Sequence, residues 1–135
     1  MFKYKIILSL ILLTVSGFVF SQEAPLKFSE KVQKFGKVAE GETVELKYTF
    51  MNEGAEPILI NEAKVNCTCT IVDYPETPID PKKVGQIRVT FHTESKIGYQ
   101  ERKIELVTNK GSVEISFKGV VKASEETKTE YKSNQ

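Results

Sequence analysis

Apolar and polar residues alternate one for one in four separate runs, and an extended strand with one wet face is what satisfies such a pattern. Val44, Leu46, Tyr48 and Phe50 share one parity while Glu45, Lys47 and Thr49 hold the other. Ile87, Val89 and Phe91 alternate with Gln86, Arg88 and Thr90; Ile104 and Leu106 with Lys103 and Glu105; and Val113, Ile115 and Phe117 with Glu114, Ser116 and Lys118. Turn signals separate the runs: Asn52-Glu53-Gly54, the prolines Pro75, Pro78 and Pro81, Gly98, and Asn109-Lys110-Gly111. The last of these predicts a hairpin with a bulge. No stretch after the first twenty or so residues keeps an i, i+3, i+4 pattern for three turns, so the expectation is an antiparallel, all-β domain. Its core gains Phe28, Phe35, Ile58, Ile60, Val65 and Ile71. Ile58 and Ile60 sit on even parity, whereas Val65, Cys67, Cys69 and Ile71 sit on odd, so a bulge or corner is expected between Asn61 and Lys64.

Both ends fall outside this pattern. Lys3 and Lys5 precede an apolar run from Ile6 to Phe20, followed by Ser21. That is the layout of a secretory signal peptide, and a helix of this run would span only roughly 22 Å against a hydrocarbon core of ~30 Å. Residues 1–21 are therefore expected to be cleaved, leaving no transmembrane segment and no Cys at the new end for lipid attachment. Residues 123–135 carry Glu125, Glu126, Lys128, Glu130 and Lys132 with Tyr131 as the one large apolar group, and are expected to form a disordered polar tail. Between them, residues 22–122 approach the ~100 residues of an immunoglobulin-like sandwich of about seven strands.

Charge and composition exclude several functions. The 135 residues carry 19 Lys and Arg against 18 Asp and Glu, a net charge of +1 with no basic stripe, which argues against nucleic acid as partner. Loss of Lys3 and Lys5 with the leader turns the balance to 17 against 18, or −1. One His, two Cys and no Trp leave little for catalysis. A Ser-His-Asp or Cys-His arrangement would have to use His92, which follows Phe91 onto the solvent face and has nothing in the sequence linking it to a nucleophile. No phosphate-cradling loop or paired carboxylates stand out; Glu40, Glu42 and Glu45 flank a Gly41 turn as a solvated face. The expectation is a protein that is not an enzyme and needs no cofactor.

The one chemical constellation is Cys67-Thr68-Cys69. In an extended strand both thiols face the same side with Cα atoms about 6.6 Å apart, near the upper end of the disulfide range of about 4.4–6.8 Å. A bridge there requires a kink, closes a very small loop and stabilises little. An exported protein nevertheless meets an oxidising compartment, and the sole intramolecular pairing is Cys67 with Cys69. Three readings stand side by side: two small apolar side chains on the inward parity, a local disulfide or redox pair, or a soft-metal site in which two thiolates hold Cu(I). Asn66-Cys67-Thr68 also fits the glycosylation sequon, which reads as coincidence.

An ordered series of short motifs adds a resemblance: Phe35-Gly36-Lys37-Val38, Glu40-Gly41-Glu42, Phe50 through Asn52-Glu53-Gly54, Pro57-Ile58-Leu59-Ile60, Cys67-Thr68-Cys69-Thr70, Ile79 with Pro81, Gly85 and Ile87, and Gly119-Val120-Val121. The series resembles the exported bacterial DUF1573 family, a domain of unknown function frequent in Bacteroidetes and similar to the immunoglobulin-like ASPM, SPD-2 and Hydin domains. The likeness runs from about Phe28 to Val121. Two departures stand out: the family usually has Gly between the cysteines, where this chain has the stiffer Thr68, and Pro-Gly where this chain reads Pro81-Lys82. The resemblance implies fold and export and carries no activity. The resulting expectation is an exported, non-catalytic binding or structural module in the periplasm or outside the cell. Its partner would be another envelope or surface protein, and the alternative is a redox or Cu(I)-thiolate site at Cys67 and Cys69.

Overall fold

The computed structural model describes residues 22–134, so the expected leader, residues 1–21, lies outside the described residues. Eight strands form two four-stranded sheets: β1 (Leu26–Phe28), β3 (Thr43–Asn52), β6 (Val84–His92) and β5 (Thr70–Asp73) in the order β1-β3-β6-β5, and β2 (Val32–Ala39), β8 (Gly111–Lys122), β7 (Gly98–Thr108) and β4 (Ile60–Lys64) in the order β2-β8-β7-β4. The all-β, immunoglobulin-like sandwich is as expected. The extra strand over the expected seven is accounted for by β1, whose three residues are too short to show an alternation. Among the described residues no helix is long and apolar enough to cross a membrane.

The alternating runs do what their period requires. All twelve of their inward residues are buried, and they meet Leu26, Phe28, Ile58, Ile60, Ile79 and Val121 in one core between the sheets. Tyr48 lies fully inside and donates its hydroxyl to the Ser116 carbonyl at 2.7 Å, which ties β3 to the facing sheet. Burial pushes its phenol well above the ordinary tyrosine value. Buried Asn52 works as a clasp: its amide nitrogen donates to the carbonyls of Glu56 and Ile79, each at 2.8 Å, while its oxygen accepts from Gly54 N at 2.8 Å. The hairpin between β7 and β8 is tight, with Thr108 opposite Gly111. Gly111 has φ 118°, and a Cβ there would fall 2.1 Å from the Gln22 carbonyl oxygen, so the amino-terminal segment can pass only because this residue has no side chain.

One strand pair departs from the antiparallel expectation: β2 runs parallel to β8. Residues 29–31 carry the chain from the edge of one sheet to the neighbouring edge of the other, held at either end by Ser29 N donating to Thr49 O at 3.0 Å and Ser116 N donating to Lys31 O at 2.8 Å. The chain switches sheets there without folding back beside β1, and sequence alternation does not reveal such a switch. Register slips between Lys34 and Gly36, which turns Phe35 inward onto Phe91 and Phe117, with ring centroids 5.8 and 6.2 Å away.

The expected irregularity between the even and odd apolar positions is present as a slip between Ile60 and Glu62 in β4, next to the anticipated interval. A second shift was not anticipated. Ile71, placed in the core by parity, is 49% exposed, while Thr70 is buried at 6%. The segment from Val65 to Cys69 is not strand but a corner between sheets, and β5 restarts on the other parity.

The carboxy-terminal residues, expected to be disordered, contain helix α1 (Glu125–Ser133). Local signals account for it: Ser124 Oγ accepts from Thr127 N at 3.2 Å, Glu125 and Glu126 occupy the first turn and Lys132 the last. The helix buries no residue and is tied to the sandwich by Thr127 Oγ1, which donates to Glu40 Oε2 at 2.7 Å. The expectation weighed burial alone, and capping does not depend on burial.

Candidate functional site

Cys67 and Cys69 are joined as a disulfide with their Cα atoms 5.1 Å apart, closer than an extended strand would hold them. A tight turn supplies the difference: Thr70 N donates to Cys67 O at 3.2 Å, and the backbone bends at Thr68 and Cys69 in spite of the β-branched residue between the sulfurs. Cys69 N also points at Cys67 Sγ, 3.1 Å away. On the far side of the turn His92 N donates to Cys69 O at 2.9 Å, which anchors the start of β5 against β6. Both cysteines are half-buried, and Cys69 packs against the core. Sulfurs bonded to each other offer no thiolate to a soft metal, and among the described residues no three His, Cys, Asp or Glu side chains gather as a metal site.

The turn faces β7 across a groove of about 440 Å³ lined by Asn66, Cys67, Glu101, Arg102 and Lys103. Arg102 is the residue that sequence reading passed over. It shares the parity of Gln100 and Ile104, and its guanidinium lies 5.7 Å from the Phe91 ring centroid while donating to Gln100 Oε1 at 2.6 Å and Glu101 O at 2.9 Å. Among the described residues it forms no ion pair with a carboxylate, whereas Lys103 pairs with Glu114 at 3.2 Å. A polar pair, Gln100 and Arg102, continuing the inward parity of Ile104 and Leu106 was the available signal. His92 sits half-exposed with Nδ1 3.5 Å from Thr43 Oγ1, away from any cluster of catalytic groups.

The four sheet edges differ in how well they are blunted. The β1 edge is three residues long and follows Pro25. The β2 edge carries Lys34 and Lys37 and the register slip at Phe35; the β4 edge carries Glu62 and Lys64 and its own slip. Charges, prolines, brevity and bulges all discourage another strand from pairing. The β5 edge is also short, four residues, and ends on Asp73, but it carries no lysine, proline or bulge within its Thr-Ile-Val-Asp run. Its register with β6 is unbroken, Thr70 to Phe91 through Asp73 to Arg88. Since Cys69 and, two residues on, Ile71 face β6 with their main chain, the amide and carbonyl of Val72 point to the open side. The Ile71 side chain stands on the outer face, and just beyond β5 a groove of about 410 Å³ is lined by Lys47, Asp73, Tyr74, Pro75 and Arg88 among others.

Comparison with known proteins supports the fold. A protein of unknown function from Porphyromonas gingivalis W83 superposes with a TM-score of 0.64 at 15% identity over 79% of this chain and 51% of that one. This chain thus spans about half the length of the Porphyromonas protein. The ASH/PapD-like domain of human CEP192 aligns over 82% of this chain and 94% of that domain at 12% identity, TM-score 0.60. Part of the Vibrio cholerae VesB protease also superposes, at 13% identity over 73% of this chain and 32% of the protease, TM-score 0.56. At such identities the likeness is one of fold. No curated protein matches the chain. The sequence profile of the DUF1573 family, proteins of unknown function, matches residues 26–121, and the chain belongs to that family.

Proposed function

We propose that the protein is an exported, non-catalytic binding module of the cell envelope, and that it takes an extended segment of another envelope or surface protein as a fifth strand against β5. The observation that carries this reading is the unguarded edge: β5 presents main-chain groups and an outward isoleucine without the lysines, bulges or prolines found along the other three edges. Strand addition uses the main chain for affinity and alternate side chains for specificity. Ile71 and the groove beside Asp73 supply the side-chain half of that recognition. The signal-like sequence at residues 1–21 supports export, and the few chemically reactive side chains support a role in binding rather than catalysis.

A display library of short extended peptides, selected on the folded protein, tests the proposal. Enriched peptides should alternate apolar residues and protect the Val72 amide from hydrogen exchange. They should lose binding with Ile71→Lys and with Val72→Pro, a substitution an open edge tolerates because that N–H bonds nothing in the sheet. Val32→Lys on the β2 edge should leave binding unchanged. A library that enriches nothing, or binders indifferent to both β5 substitutions, overturns the proposal.

A further inference from the structure

We infer that the Cys67–Cys69 turn is a thiol–disulfide exchange site, with Cys67 the exchanging sulfur and Cys69 the resolving one. The inference stands independently of strand docking at β5. Three features of the turn carry it. The two cysteines are two residues apart, so the bridge closes too small a loop to gain much from restricting the unfolded chain, which makes it easier to reduce than a structural staple. The sulfurs are inequivalent: Cys67 lines the groove beside β7, while Cys69 packs on the core. Finally, the surroundings favour negative charge at Cys67. Cys69 N points at its sulfur from 3.1 Å, and Arg102, unpaired with any carboxylate among the described residues, shares its groove.

The charges around the turn support the same sulfur. From β7 come Arg102 and Lys103 against Glu101, with Lys103 drawn toward Glu114 and Glu101 accepting from Tyr99 Oη at 3.3 Å. From β6 comes His92, which meets the turn through its backbone amide. Cations and amide donors together stabilise a thiolate over a thiol.

The substrate class is an exported protein with a pair of thiols. One partner thiolate attacks Cys67 Sγ, the bond between the two sulfurs breaks, and its electron pair leaves on Cys69 Sγ, which takes up a proton. The partner's second thiolate then attacks its own sulfur in the mixed disulfide, and Cys67 leaves as the stabilised thiolate. Counted from its dithiol, the partner loses two electrons and two protons to become a disulfide; the protein gains both electrons and one proton, on Cys69, while the second proton goes to solvent and Cys67 stays a thiolate.

The test starts with the unmodified protein equilibrated in glutathione buffers of varied ratio, with free thiols counted by mass after acid quench. A reversible passage from disulfide to dithiol within the range those buffers set is the expected result. A pair that stays wholly oxidised or wholly reduced at every ratio overturns the inference. Cys69→Ser should trap a glutathione adduct on Cys67, whereas Cys67→Ser should leave Cys69 largely unmodified; the reverse pattern, or equal trapping, overturns the assignment of roles. In Cys69→Ser, alkylation of Cys67 should be half-maximal below the ordinary thiol value of about 8.5, and adding Arg102→Gln should slow it at neutral pH by about threefold to tenfold. A rate indifferent to Arg102 removes the electrostatic part.

Discussion

The two flanks of the sandwich are built on opposite principles. On the β1 and β2 side the chain closes its edges from within: Phe35 leaves its strand to stack on Phe91 and Phe117, lysines line β2, and Lys31 reaches back to Glu23 across the amino-terminal segment. On the β4 and β5 side, β4 is slipped and charged, but β5 begins from a disulfide turn and offers a plain β-branched edge. The first flank puts its residues into stability. The second leaves a residue such as Ile71 in water, where it contributes little to the fold, and such a residue is free to serve recognition.

Substitutions can break that comparison, and the largest effect is expected on the closed flank. Phe35→Ala should cost about 3 kcal/mol in denaturant unfolding, because it removes the ring that packs on both Phe91 and Phe117. A loss under about 1 kcal/mol would mean the flank is not closed by packing. Next comes Tyr48→Phe, expected to cost about 1–2 kcal/mol by removing the donor to Ser116 O. Its pH dependence sharpens the point. With the buried phenol raised above the unfolded value of about 10, stability is constant below that pH and falls as pH rises above it. The Phe variant should lose this part of the alkaline slope.

A third substitution, at the turn entering β6, belongs to neither flank. Asp80-Pro81-Lys82-Lys83 closes with Lys83 N donating to Asp80 O at 3.1 Å, and Lys82 has φ 66°. A left-handed residue at that position of a proline turn favours glycine, so Lys82→Gly should stabilise by about 1 kcal/mol in thermal unfolding. The smallest effect belongs to the open flank: Ile71→Lys should shift stability by no more than about 0.5 kcal/mol while abolishing peptide docking at β5. A large loss would show that Ile71 supports the fold and would dissolve the contrast between the flanks.

The closed parts of the molecule were also the legible ones. Val44 to Phe50, Ile87 to Phe91 and Val113 to Phe117 each announce their facing because a strand buried on one side leaves a period of two. Parity fails where the chain changes sheets. Residues 29–31 make β2 parallel, and the corner from Val65 to Cys69 turns Ile71 outward; neither crossing leaves a mark in hydrophobic order. Lys82 explains one departure from the family pattern, since its backbone adopts the conformation glycine would take more readily. At the candidate exchange site the cysteines were visible at once, but Arg102 was not, because its meaning depends on which strand lies across the groove.

The parallel pairing of β2 with β8 has a consequence in time. Val32 finds its partner at Ser116 and Ala39 at Lys122, so an early strand must wait for the last strand of the sandwich. A chain leaving the ribosome amino end first can pair β3 with β1 and then with β6, but β2 has no strand to pair with until β8 has emerged. Contacts this distant in sequence slow folding, and they leave the new protein open for as long as its synthesis lasts. That interval is when a helper protein, or a transport channel that accepts only unfolded chains, would find it most receptive.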